Sequence, residues 1–168
     1  METLECIARR SSVREFTAKA ISRDLLEKLV DAGRRAPSAR AVEPWEFVVV
    51  TEKETLKKLG QLATNGSFLK DAAACIAVFS LDTKYYLEDG CAATENILLA
   101  ASDFGVGSCW VAGDKKPYVN AVAHTLGVPF NVKLVSLIAL GWPVRKISQK
   151  KTRSLQHVLH WEKFKGGA

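Results

Sequence analysis

The chain has 168 residues, 48% of them apolar and 25% charged, with a formal net charge of +6. That length and balance suffice for one substantial core, which excludes a disordered segment or a miniature disulfide scaffold. The positive charge admits an acidic small molecule or a nucleic acid as partner, and no apolar run approaches the roughly 20 residues that cross a bilayer.

The opening Met1-Glu2-Thr3-Leu4-Glu5 is acidic and lacks the basic-then-apolar order of a secretory leader, so a cytoplasmic location is expected. After a helix-like start, Arg10-Ser11-Ser12-Val13-Arg14 gathers two guanidinium forks and two hydroxyls on one short stretch. Those groups suit a phosphate. On its own, such a stretch is ordinarily solvated surface.

Ser22 predicts a helix N-cap, with Asp24 in the first turn and Leu25, Leu26, Leu29 and Val30 on one stripe. Pro37 ends that helix by disfavouring helical geometry at Ala36. The β-branched run from Glu46 to Thr51 reads as a strand, followed by a helix from about Lys53 to Leu62 and a polar turn at Asn65-Gly66. From Ala74 to Ser80 the chain is almost continuously apolar, as in a strand covered on both faces.

Tyr86 to Phe104 is the longest helical pattern, with Cys91, Thr94, Ile97, Leu98 and Ala101 at helical spacing. Its small Ala92, Ala93 and Ala100 permit close approach, within the core or between two subunits. A strand over Gly107 to Val111 follows, then a helix from Tyr118 to Leu126. A buried strand from Val132 to Leu140 is closed by Gly141-Trp142-Pro143. The tail adds basic residues and a short amphipathic piece with Leu155, Val158, Leu159 and Trp161. Alternating elements of this kind predict a single α and β domain over residues 1–168 built round one sheet.

Several chemistries are unsupported. Cys6, Cys75, Cys91 and Cys109 form no C-x-x-C pair, so neither a disulfide framework nor a zinc site is expected. Cys75 and Cys91 read as small core residues. His157 and His160 would share a face on a helix, but further ligands are missing, and no metal is expected. Gly105-Val106-Gly107 lacks the glycine that a dinucleotide fingerprint needs at position 110, where Trp110 stands. The cations are dispersed, with no basic helix interleaved with stacking aromatics, so no nucleic-acid partner is expected. A nucleic-acid-binding protein remains the alternative outside the enzymes.

Five motifs occur in order. They are Arg10-x-Ser12-Val13-Arg14-x-Phe16; Ala36-Pro37-Ser38 with Pro44-Trp45; Asp89-Gly90-x-Ala92-x-x-x-Asn96; Gly105-Val106-Gly107-Ser108-Cys109-Trp110; and Ala139-Leu140-Gly141-Trp142-Pro143 trailed by Lys and Arg. Together they resemble the nitroreductase family of FMN-dependent oxidoreductases over nearly the whole chain. The resemblance implies a three-layer α+β fold, with a central mixed, mainly antiparallel sheet flanked by helices. It implies ping-pong transfer from NAD(P)H through FMN to a nitroaromatic, a quinone or a similar electron-poor acceptor, with no catalytic side chain. It also implies a homodimer with FMN at the interface and a C-terminal extension from about residue 144 embracing the partner.

Carried over by that resemblance, Arg10, Ser11, Ser12 and Arg14 form the amino-terminal FMN segment, and Lys151 with Arg153 the carboxy-terminal basic pair closing on the phosphate. Asn65 would meet the flavin or its ribityl chain. Ala112 and Gly113 would face flavin N5 with a backbone N–H. Pro37 and Ser38 would reach the flavin held largely by the other subunit. Where the family often carries Asn and Gln, this chain has Ala41 and Glu43; Arg40 is the nearby replacement or a surface residue. The short stretch from Ala112 to Tyr118 implies an open site without a large lid. The resemblance also admits flavin cleavage, dehalogenation, or FMN binding without turnover. Trp45, Trp142-Pro143, Asp89 and Asn96 read as structural, and Trp110 either covers the flavin or packs.

Overall fold

A computed structural model describes residues 2–164; residue 1 and residues 165–168 of the expected 1–168 domain lie outside the described residues. The elements follow the order α1 (Thr3–Arg9), α2 (Arg23–Arg34), β1 (Trp45–Val50), α3 (Lys53–Leu62), β2 (Ala74–Leu81), α4 (Tyr86–Asp103), β3 (Gly107–Ala112), α5 (Val119–Thr125) and β4 (Val132–Gly141). The strands form one sheet in the order β1-β2-β4-β3, each neighbouring pair antiparallel. The mixed character expected of the sheet is confined to one isolated parallel bridge, between Ser12 and Ser108.

Period-two alternation explains why β2 reads as one apolar run. Cys75, Ala77 and Phe79 enter a core closed by Leu56 and Leu59 of α3 and Val122 of α5. Ala74, Ile76 and Val78 enter the opposite core, closed by Leu26 and Leu29 of α2 and Ile97, Leu98 and Ala101 of α4. Burying a Leu such as Leu29 or Leu56 contributes roughly 1.5–3 kcal/mol, so these two apolar layers hold the sheet between its helices. The arrangement is the three-layer α+β fold expected. Among the described residues, no helix is long and apolar enough to cross a membrane.

α2 starts as expected, with Ser22 Oγ accepting from the Leu25 N–H at 3.3 Å. α4 lies tight on β4 because Gly90 has no side chain; a Cβ there would sit 2.5 Å from Val135 Cγ2. One turn on, buried Thr94 donates to the Gly90 carbonyl at 2.7 Å and lies 2.8 Å from Ser136 Oγ. Asp89 and Asn96 are structural, as expected. Asp89 accepts from the Ala39 N–H at 2.9 Å, and Asn96 donates to Ala32 O at 3.0 Å. Trp45 packs with Ala36 and Ala93, and Trp142 Nε1 donates to Ala20 O at 3.1 Å.

The amphipathic tail expected after Pro143 is a single 3-10 turn, Leu155–His157. His157 and His160 therefore share no helical face, and His157 Nδ1 lies 2.7 Å from Ser154 Oγ. Too few apolar contacts with the rest of the chain reach this segment to extend the turn: Leu155, Val158, Leu159 and Trp161 are all exposed.

The link from α2 to β1 holds three non-glycine residues in the left-handed region, Arg40 at φ 56°, Ala41 at 52° and Glu43 at 50°. Each costs about 1 kcal/mol or more relative to glycine. The Ala39 amide bond to Asp89 and a 2.9 Å bond from the Glu43 N–H to Ser38 Oγ hold the turn against that cost. Replacing Ala41 with Gly should raise the free energy of unfolding by about 1 kcal/mol. Urea unfolding checks this; an unchanged or lower midpoint at constant slope would contradict a left-handed Ala41.

Candidate functional site

After α1 the chain pairs at Ser12 and Val13 with the outer edge of β3 and then crosses to Phe16 beside Gly141 and Pro143 at the end of β4. The Val13 N–H donates to Ser108 O at 2.9 Å, and beyond that point no other described segment pairs with this edge. The following stretch is tied to the segment after β4. The Thr17 N–H donates to Trp142 O at 2.8 Å, the Val144 N–H to Glu15 O at 3.2 Å, and Arg145 pairs with Glu15 at 2.9 Å. The two ends of the chain thus brace one another beside β3.

Alternation along residues 10–14 sorts their side chains. Ser12, Arg14 and Arg10 lie close enough to the buried Cys109 thiol to act on it. Burial still dominates and pushes that thiol up, so Cys109 is a packed neutral group. The Arg14 guanidinium lies over the Phe68 ring, 5.7 Å from its centroid. Phe68 belongs to the 3-10 turn Ser67–Asp71, so this contact brings in the Asn65-Gly66 turn. Gly66 itself lies against Val111. Arg14 thus lies by the Phe68 turn that the exposed Asn65 precedes, on the α3 side of the sheet, while Arg10 reaches Glu95 of α4.

These cations are only loosely held. Arg10 reaches Glu95 at 3.7 Å with the carboxylate side chain 47% exposed. Such a pair is worth about 0–1 kcal/mol, and an exposed cation–π contact like that of Arg14 about 0.5–1 kcal/mol. A charge-assisted bond to a phosphate, about 1.5–3 kcal/mol, outcompetes both.

Ser11 does not join the group. Its hydroxyl donates instead to Ile147 O at 2.9 Å. Gln149 donates to the carbonyls of Ile7 (2.8 Å) and Arg10, which brings the chain to within two residues of Lys151. Lys151 is exposed there. Arg153 is also exposed and donates to His157 O at 2.7 Å, within its own turn. Pro37, Ser38 and Arg40 lie with Asp89 and α2, whereas α1 meets α4 at Leu99, through Cys6 Sγ at 3.1 Å to Leu99 O. The loop thus sits at the start of α4 and the α1 end of the cationic segment further along it.

At the far end of the edge, the Gly113 N–H donates to Val135 O at 3.0 Å. The residues facing one another across β3 and β4 are 112 with 136 and 111 with 137, so 113 continues the register opposite 135. In an antiparallel pair, alternate residues turn their N–H and C=O groups away from the partner. Gly113 is thus committed inward, and the amide and carbonyl of Ala112 face outward along the open edge. The carbonyl accepts from the Tyr118 hydroxyl. From Ser108 to Ala112 the edge spans roughly 13 Å at about 3.4 Å per residue.

The stretch after β3 is a tight turn rather than a lid, as its length implied. The Lys116 N–H donates to Gly113 O at 3.1 Å, and Tyr86 at the start of α4 donates to Asp114 Oδ1 at 2.6 Å. The Asp114 carboxylate, with burial, pushes the Tyr86 phenol up to about 12, so it remains a donor. Trp110 packs against the α2 and α4 core. Among the described residues, no group of three or more His, Cys, Asp or Glu side chains could hold a metal ion.

Tyr118, Tyr86, Asp114, Phe68 and Gln149 escaped sequence reasoning, since each acts through a tertiary contact that no local spacing encodes. Only Tyr118 carried a signal, its place at a helix start just after Pro117.

The family model described as "Nitroreductase family" matches residues 7–77 and 67–142. The chain is similar to an Archaeoglobus fulgidus protein assigned as an NADH dehydrogenase/NAD(P)H nitroreductase, with 38% identity over 149 residues, 84% of this chain and 86% of that one. A Bacteroides thetaiotaomicron crystal structure with the same assignment matches at TM-score 0.92 and 29% identity, covering 96% of this chain and 98% of that one. The FMN-dependent nitroreductase of Clostridium difficile R20291 matches at TM-score 0.88 and 27% identity, covering 96% and 99%.

Proposed function

The chain belongs to the nitroreductase family and is an oxidoreductase, and we propose that it binds FMN along the β3 edge, uses NAD(P)H as donor and acts in the cytoplasm. The observation that carries this reading is the pairing of a loosely held cationic cluster at one end of an open strand edge with an outward amide at the other. Arg10, Ser12 and Arg14 would hold the phosphate, and the Ala112 amide would meet the ring. The donor set fits: two guanidinium forks and a hydroxyl match a dianion, and a lone strand-edge N–H matches a heteroaromatic acceptor.

When bound, FMN supplies two-electron chemistry, taking hydride from NAD(P)H and passing electrons to a nitroaromatic, quinone or similar acceptor. The protein's part is placement and electrostatics. Arg10 and Arg14 neutralise the phosphate, Asn65 offers an amide along the ribityl path, and the short 113–118 turn leaves the ring face open to exchange donor for acceptor. None of these side chains need act as a nucleophile or general acid.

The same proposal includes a homodimer in which the chain from about residue 144 embraces the partner, with Pro37, Ser38 and Arg40 reaching the partner's FMN. Leu155, Val158, Leu159, Trp161 and Phe164 support it, because all five are exposed on a tail that makes little contact with its own chain. Clustered exposed apolar residues of this kind mark an interaction surface.

Replacing Arg10 with Ala should weaken FMN binding by roughly 10- to 100-fold, the worth of a charge-assisted bond. Flavin fluorescence titration reads this directly; unchanged affinity would remove Arg10 from the site. Sedimentation of the purified protein should give a dimer, and a monomer carrying a full complement of FMN would overturn the shared-site arrangement.

A further inference from the structure

One side chain outside the phosphate cluster acts on the open edge where the ring would lie. Tyr118 packs in the α3 and α5 core with 7% of its surface exposed, and only its hydroxyl reaches the edge, donating to Ala112 O. The strand alternation turns both polar groups of Ala112 outward. Without a partner, the carbonyl would aim its partial negative charge along the same edge as the N–H.

We infer that Tyr118 is a positioning residue that caps the Ala112 carbonyl, so that the N–H dominates the field at the bound ring and favours its reduced form. The inference rests on the FMN reading above. A ring that gains electrons is stabilised by a nearby donor and destabilised by a carbonyl oxygen aimed at it. The capping hydroxyl cancels the second effect while leaving the first.

The surrounding turn is tightly held. Gly113 is wedged so closely that a Cβ would lie 2.6 Å from Leu134 Cγ and 2.9 Å from the Val135 carbonyl carbon. Its N–H is bound to Val135 O and its carbonyl to the Lys116 N–H, and Asp114 is held by Tyr86. Burial pushes the Tyr118 phenol up, which keeps it protonated.

The test is the two-electron midpoint potential of the FMN-bound protein, compared with Tyr118→Phe and with Tyr86→Phe as a control for the turn. Tyr118→Phe keeps the packed ring and removes only the hydroxyl. It should bind FMN at full stoichiometry with a roughly tenfold weaker preference for reduced over oxidised flavin, a potential about 30 mV more negative. Tyr86→Phe should keep the wild-type value. An unchanged potential in Tyr118→Phe would overturn the inference, as would an equal shift in Tyr86→Phe, which would mark general loosening of the turn. Should Tyr118→Phe fail to fold, Tyr118→Met, which fills the space without a donor, carries the same expectation. A wild-type protein that takes up no FMN would instead end the reading on which the inference rests.

Discussion

The pairing of residues 12–13 with the outer edge of β3 is the constraint on which the candidate site depends. The bond from the Val13 N–H to Ser108 O fixes where the amino-terminal segment meets the sheet, and so which of its side chains come near Cys109. Ser12 and Arg14 lie by Cys109, while Ser11 bonds Ile147 O. Among the described residues none pairs with the edge after that bond, which leaves it open up to Ala112. An exposed edge ordinarily invites another chain. Here its open part is short, and it runs directly from a cationic cluster, which favours a small anionic ligand.

The second feature is that the cations near Cys109 have only distant partners, whereas the one that braces the chain ends has a close one. Arg145 pairs with Glu15 at 2.9 Å and helps lock the two ends together, while Arg10 lies 3.7 Å from its carboxylate partner. A network of loose partners lets the guanidinium groups turn to a dianion at little cost. Cys109, between them, is kept neutral by burial, so it adds no competing charge.

Much of this was legible in the sequence. The strand boundaries followed from β-branched runs and turn residues. α2 followed from its cap and stripe, and the burial of β2 on both faces from an unbroken apolar run. The Arg10–Arg14 segment stood out by residue type. Which of its side chains come near Cys109 did not, since that depends on pairing with a strand nearly a hundred residues away. Ser11 was grouped with its neighbours for that reason. The left-handed turn at Arg40 and Ala41 was equally hidden, because neither residue is one that favours such geometry; its stability comes from Asp89 on α4. The hydroxyl of Tyr118 closes on Ala112 across a turn whose shape is set by packing against β4, which no local pattern announces.

The account's central claim is that a phosphate is the handle by which this chain grips its cofactor. Equilibrium dialysis of the apoprotein against FMN and against riboflavin, which differ only in that phosphate, tests it most directly. With two or more charge-assisted bonds to the phosphate, FMN should bind at least about 100-fold more tightly than riboflavin. Equal affinity for the two would contradict the account.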